Sequence, residues 1–453
     1  MSLRALLALL VLIIGCAWTL RRPLVGVCMN ILFFHLNLGV LGAGLETIRF
    51  QFYGTLALMI SYFLNHDELT KVPTPAQPPM RLLFVFTSIC YLTSAWAAAS
   101  TSLAFDSAVD FSKIVLFSWL IMKIVRTEKD LHIVIWVTLI GIAYTSFMGY
   151  WGEMWGWINE KEVGVSTGGT GTHIMMYFPM MMVMILFGKI WEKLVAAVIL
   201  MIVLIFMPAL PEGLRSTFVA LVASATFFVI FAPGRIRAKS IIPLIIAGLL
   251  FVSYFVPPEY WDEMLTILNP STESSAASRE VINQASWQIL RKYPLGIGYN
   301  NYSLVSLPYI PEEYLSDMGT RDAHNSYLKV ACEFGVVGFV VWILTFFVTW
   351  IYFRKVRKTM TKDRPPTNLQ LYALAFEVGL IGITLSIYTH NYNDLDTLYW
   401  FVALSCVLYN IHQNNHKEEQ PERTEVKAPH EIVLERIRAK KQAQDFVPQV
   451  SAK

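Results

Sequence analysis

His324 is the residue in this chain best placed to move a proton. It stands in RDAHNSYL at residues 321–328, where a polar loop runs straight into a long apolar stretch. An imidazole titrates near neutral pH and can take a proton from a hydroxyl. The competing role is an interfacial histidine that merely caps a helix or ties down a loop. Asn325 and Tyr327 share the same mouth, and Glu333 follows roughly 13 Å deeper by helical rise. An ionisable group at that depth is costly in an apolar medium and pairs or lines a cavity, and Glu377 has similar standing. The remaining unusual charges are Arg215 in PEGLRST, and Arg279, Arg291 and Arg321 in residues 257–325. For Arg279 alone a solvated helix face explains the side chain as well as a binding role does. His173, and THNYNDLD at 389–396, complete the set.

Two other patterns are weak. STGGTGT at 166–172 is glycine-rich but lacks the GK[ST] ending of a phosphate-binding loop, so it is expected to be a mobile connector. Asp394 and Asp396 form a DxD, a spacing that can hold a divalent cation but recurs by chance. The five cysteines, Cys16, Cys28, Cys90, Cys332 and Cys406, all lie in apolar stretches without a CxxC pair, which argues against disulfides and zinc. No metal and no cofactor is expected. A net charge of +3 says little about partners, and nothing points to nucleic acid.

The elements that must position these residues follow from composition. Hydrophobic residues make up 55% of the 453 and charged ones 15%, with a mean hydropathy of +0.49. A soluble protein of this size is excluded. Thirteen apolar segments are expected to span a membrane, near 3–20, 23–40, 50–64, 82–99, 107–122, 131–150, 173–187, 194–208, 216–232, 240–256, 326–353, 369–389 and 397–411. The first two, joined only by Arg21, Arg22 and Pro23, are alternatively one broken hairpin, which would make twelve. The fold class is therefore an all-α polytopic membrane protein with one large loop containing amphipathic helices.

Alternate short connections differ sharply in basic charge. One set carries eighteen Lys and Arg, six of them between 354 and 364, and the other only Arg49, Lys161 and Arg215. Basic connections stay in the cytoplasm, so residues 257–325 face outward, as do Arg215, His324 and residues 389–396. Collecting polar groups on one face suits an enzyme acting on an exported, lipid-held substrate. Five parts result: helices of 1–130, helices of 131–256, the loop 257–325, final spans 326–411 and a charged tail 412–453. Within the loop, SREVINQASWQILRK (278–292) has Val281, Ile282, Ala285 and Ile289 on one side and Arg279, Asn283 and Ser286 on the other. It is expected to lie on the membrane surface. PLGIGYNNY then makes a glycine-rich turn suited to close approach of a ligand.

The order EGLRS, SSAASRE, PLGIGYNNY and HNSYLKVACEFGVVGF, with three final spans, resembles the O-antigen ligase and O-antigen polymerase superfamily of bacterial membrane glycosyltransferases. The resemblance covers roughly residues 130–410, and the HNxYL…E.G..G pattern is its most specific part. It departs at TGTHIMMYFP, where many members are rich in Asn, so it lends His173 no active role. The resemblance implies a glycan donor linked through diphosphate to undecaprenol and an acceptor hydroxyl on lipid A core, a glycan or a protein, at the periplasmic face of the inner membrane. In that chemistry His324 is the base. Arg215 and Arg279, with Arg321 in reserve, neutralise the diphosphate, to which planar guanidinium forks are suited. Asn325, Tyr327 and Glu333 are supporting candidates. The expected reaction is inverting and metal-independent, with membrane lipid as surroundings. A polymerase of the same superfamily, a lipid-linked sugar transporter and a structural scaffold are the alternatives. Against transport, no internal inverted repeat is visible.

Overall fold

The computed structural model describes residues 3–38, 45, 48–75, 77–154, 167–206, 214–251, 253, 274–315, 319–361 and 364–419. Two compact units are present, Met1–Ile411 and His412–Lys453, the second described only over the last turns of a helix. Among the described residues there is no strand. The helices are α1 (Leu3–Arg21), α2 (Pro23–Leu36), α3 (Phe50–Leu64), the short α4 (His66–Thr70), α5 (Pro78–Ser94), α6 (Thr101–Ile124), α7 (Glu128–Met154) and α8 (Thr167–Phe187). They continue with α9 (Ile190–Phe206), α10 (Leu214–Phe231), α11 (Gly234–Leu250), α12 (Ser274–Lys292), the single turn α13 (Tyr302–Val305), α14 (Ser326–Arg357), α15 (Asn368–Ser386) and α16 (Asp396–Glu419).

Over its described residues each of the thirteen apolar segments lies mostly on a helix, with 39–40, 207–208, 252 and 254–256 outside the described residues and 95–99 beyond the end of α5; α1 and α2 are separate helices packed on each other. Among the described residues Glu128–Met148, Ser326–Arg357 and Asn368–Ser386 are long and apolar enough to cross a membrane, and five further apolar helices are shorter. Large apolar side chains such as Ile13, Phe63, Leu194, Ile242 and Val337 are exposed. In water such a surface would be untenable, whereas lipid solvates it, and helices leave no backbone polar group to face that lipid.

Helix α15 packs against α8, α10 and α14, and α14 also packs against α5. Gly379 permits the closest of these approaches, since a Cβ there would run into the carbonyl oxygen of Met176 on α8. Phe353, Phe376, Phe401 and Tyr177 fill the crossing with edge-on and stacked rings. Deep in the bundle Glu377 is held by both prongs of Arg357, whose Nη2 lies 3.2 Å from Oε1 and whose Nε reaches Oε2. Glu377 is therefore half of a structural ion pair. His173 is buried, its ring edge-on to His35 and Phe34. The run expected as a mobile connector is helical from Thr167 onward, forming the first turns of α8.

Two readings of the large loop change with its packing. Ile282, Ala285 and Ile289 of α12 are buried, but against Ile297, Tyr302, Ile310, Ala323 and Cys332, so the apolar stripe meets a core of protein rather than lipid. Ser286 belongs to that buried side, giving its hydroxyl hydrogen to the Ile282 carbonyl and lying 2.6 Å from the Tyr302 hydroxyl. The glycines of PLGIGYNNY do allow close approach, but the approaching partners are protein: α14 itself at Gly296, and Ala97 and Ala104 at Gly298. Gly335 breaks α14 at φ 68°, ψ −176°, a conformation open essentially to glycine alone. The break frees the Cys332 and Glu333 carbonyls, which accept from the Ile297 and Gly298 N–H groups at 3.0 Å each, and Val336 N–H donates to Pro294 at 3.1 Å. A Cβ on Gly296 or Gly335 would lie 2.5 Å from the opposing backbone. Asn301 completes the attachment. Its Oδ1 accepts from Ser100 N–H at 2.7 Å and its Nδ2 donates to the Ser100 carbonyl at 3.1 Å, fixing the loop to the α5–α6 connection.

Candidate active site at the head of the long helix

The break at Gly335 leaves a short helical stub, residues 326–334, clamped between the loop and the bundle. Asn325 caps it, its side-chain oxygen accepting from Tyr327 N–H at 3.0 Å and Leu328 N–H at 3.2 Å, two donors a helix start leaves unpaired. Asn325 is therefore a structural cap, and its backbone N–H donates to Asn391 Oδ1 at 3.2 Å. Tyr327 gives its hydroxyl hydrogen to the Thr384 carbonyl at 2.6 Å, tying the stub to α15. Ser326 fastens the link between α15 and α16, donating from Oγ to the His390 carbonyl at 2.6 Å and accepting from Tyr392 N–H at 2.8 Å.

His324 lies immediately before this cap with φ +47°, a left-handed conformation unusual for a residue with a side chain. The turn lets Ala323 sit in the loop core while the His324 side chain reaches the surface. Although the ring is exposed, surrounding protein removes part of its hydration and lowers its pKa below the ordinary histidine value. Arg321, Arg279 and Lys329 push the same way by repulsion, and Asp322 opposes them. The result is an imidazole kept neutral at physiological pH, the form that accepts a proton.

The arginines come from two directions. Arg321 donates from Nη2 to Ser278 Oγ at 3.1 Å, which sets its guanidinium against α12 one residue from Arg279. Its Nε is buried without an acceptor, an arrangement a ligand oxygen would satisfy. Arg279 is exposed and makes no hydrogen bond or ion pair among the described residues. Lys329 is buried and paired with Asp322 at 2.8 Å. Arg215 lies in the first turn of α10, and its side chain falls outside the described residues. Glu333 is fully buried one turn below Lys329, and neither carboxylate oxygen has a hydrogen-bond partner at normal distance.

Asp322, Lys329 and His390 were not singled out by sequence. Lys329 was readable in principle, because it stands four residues from Glu333 on one helix face. A groove of about 620 Å³ opens beside Asn325 between α12 and α14, lined among others by Asn283, Trp287, Leu328, Ala331, Phe339 and Tyr388.

Residues 212–343 match the family model described as O-antigen ligase. Over that stretch the chain is similar to the O-antigen ligase family. The matched stretch contains Arg215, Arg279, Arg321, His324, Asn325, Tyr327 and Glu333, and stops short of the α15–α16 link. No curated protein matches the chain. That similarity supports a glycan ligase or polymerase activity in general.

Proposed function

We propose that the chain moves a glycan from an undecaprenyl-diphosphate carrier to an acceptor hydroxyl, on lipid A core, another glycan or a protein, at the periplasmic face of the inner membrane. The observation that carries this reading is the meeting of a neutral His324 with Arg279 and Arg321 at the head of α14. His324 takes the proton of the acceptor hydroxyl as its oxygen bonds to the anomeric carbon. The bond from that carbon to the diphosphate oxygen breaks, and its electron pair leaves with the phosphate. Arg279 and Arg321, and Arg215 from the start of α10, neutralise the departing charge, so the oxygen needs no proton and no metal is invoked. Displacement from the opposite side inverts the anomeric centre. Leu328, Ala331 and Phe339 give the groove an apolar wall along which a lipid chain can lie.

His324→Ala is expected to lower transfer by about 10²–10⁴-fold, the usual contribution of a positioned base. Arg279→Ala is expected to abolish transfer with the protein still in the membrane. Transfer is measured in detergent from carrier-linked glycan. Full activity in both purified variants would remove these residues from the reaction.

A further inference from the structure

The groove beside Asn325 has two unlike walls. Side chains such as Ala331 and Phe339 make the α14 wall apolar, whereas α12 lines the other with Glu280, Asn283, Gln284 and Trp287. These four stand at i, i+3, i+4 and i+7, the face of α12 opposite the Ile282 and Ile289 that are buried in the loop core. Trp287 is 53% exposed, an aromatic surface the packed loop leaves uncovered. An indole near a membrane can serve simply as an anchor among headgroups, so its neighbours decide its role. Asn283 is half-buried and makes no hydrogen bond among the described residues. Gln284 donates from Nε2 to Glu280 Oε1 at 2.9 Å, which leaves the Gln284 oxygen and the second carboxylate oxygen as acceptors. Asn325 is only 5% exposed and uses its side-chain oxygen to cap α14, so its Nδ2 keeps two hydrogens with no acceptor among the described residues.

Among the described residues that line this groove there is no Lys, Arg or His. A phosphate would gain nothing there and would be repelled by Glu280. Neutral hydroxyls suit it well. Carboxamides and a carboxylate give and accept the hydrogen bonds that sugar hydroxyls need, and the nonpolar face of a sugar ring packs on the negatively polarised face of an indole. Arg279 and Arg321, assigned to the donor diphosphate, do not line the groove, whereas Asn325, which does, follows directly on His324. In the transfer reading, on which this assignment rests, His324 takes the acceptor's proton. We propose that the groove binds the acceptor glycan, with a sugar ring stacked on Trp287 and its hydroxyls bound by Glu280, Asn283 and the Asn325 amide, so that the acceptor hydroxyl is held beside His324. A second hollow of about 490 Å³ shares Gln284 and Trp287 and adds Gln288 and Arg291, which leaves room for more than one sugar along α12.

The test uses the full-length protein in detergent. The donor probe is the carrier-linked glycan that accumulates in cells lacking this chain, extracted and radiolabelled, and solubilised membranes of the same cells are the acceptor probe. Acceptor is titrated at fixed donor, then donor at fixed acceptor. Trp287→Ala is expected to raise the acceptor KM roughly tenfold, as loss of one stacked aromatic contact does, with kcat and the donor KM within about twofold. Asn283→Ala is expected to raise the acceptor KM about fivefold through one lost hydrogen bond. Trp287→Phe, which keeps a flat ring, should recover most of the acceptor affinity. Trp287→Leu keeps the apolar bulk a membrane anchor needs but has no ring face, and should not recover it. An acceptor KM unmoved in Trp287→Ala, a rise confined to the donor KM, or a leucine variant as good as the phenylalanine one overturns the assignment. Those results leave the transfer reading standing, because product is still formed. A wild-type protein that forms no product removes the transfer reading and this assignment with it.

Discussion

Gly335→Ala should separate the loop from the bundle without touching any residue of the proposed chemistry. At φ 68°, ψ −176° an alanine costs about 1–3 kcal/mol in backbone strain alone. Its Cβ would lie 2.5 Å from the Pro294 carbonyl oxygen and the Leu295 carbonyl carbon, both backbone atoms that cannot swing aside. Relieving that clash means giving up the three hydrogen bonds that join residues 294–298 to 332–336, each contributing about 1 kcal/mol. The combined penalty is on the order of 4–6 kcal/mol, enough to raise the undocked population at least hundredfold. Cys332 reports on that population. It is buried under α12 and its Sγ donates to the Ser286 carbonyl at 3.3 Å, so it should react with a membrane-impermeant maleimide only when the loop lifts. Labelling at Cys332, read by mass spectrometry, should rise roughly hundredfold in Gly335→Ala if opening limits the reaction. Glycan transfer should be lost in parallel. A variant that labels at the wild-type rate and still transfers glycan would refute the idea that the helix break docks the loop.

The remaining predictions concern the chemistry. His324 is competent when neutral, so transfer should fall as pH drops through its lowered pKa, with the acid limb below the ordinary histidine value near 6.5. Asp322 is the one nearby group that favours the charged ring, so Asp322→Asn should move that limb to still lower pH. A limb that stays put would mean another group controls the rate. Because arginines are assigned the leaving-group charge, EDTA should leave the transfer rate unchanged. Loss of activity restored by a divalent cation would contradict that assignment.

The helical segments were legible because a span is a local property: some twenty apolar residues in succession report it without help from the rest of the chain. The helix start beside His324 was legible for the same reason, in RDAHNSYL, but the sequence reading offered His324 as the cap and Asn325 as a supporting site residue, whereas Asn325 does the capping. What hid was everything set by distant pairing. Asn301 meets Ser100 across 201 positions, so the loop's clamp has no signature in either segment alone. Ser286 reads as polar on a helical wheel yet is buried, because Tyr302 supplies a partner from another turn of the loop. His390 sits 64 positions from Ser326, in a link that looked merely polar, and only the folded chain shows its carbonyl bound beside His324. Glycine pattern misled once. Gly296 and Gly335 allow two stretches of the same chain to touch, and spacing alone does not distinguish that from room for a ligand.

Covalent transfer at the head of α14 is the central step. The most direct measurement is mass spectrometry of product formed by the purified protein in detergent, where no compartments exist, from carrier-linked glycan and solubilised acceptor membranes. Wild-type protein should yield a new glycosidic linkage of inverted configuration together with free carrier diphosphate, and His324→Ala should form both at least about a hundredfold more slowly. A wild-type protein that leaves the glycan on its carrier under these conditions, or a His324→Ala protein that transfers it as fast as wild type, would contradict the account.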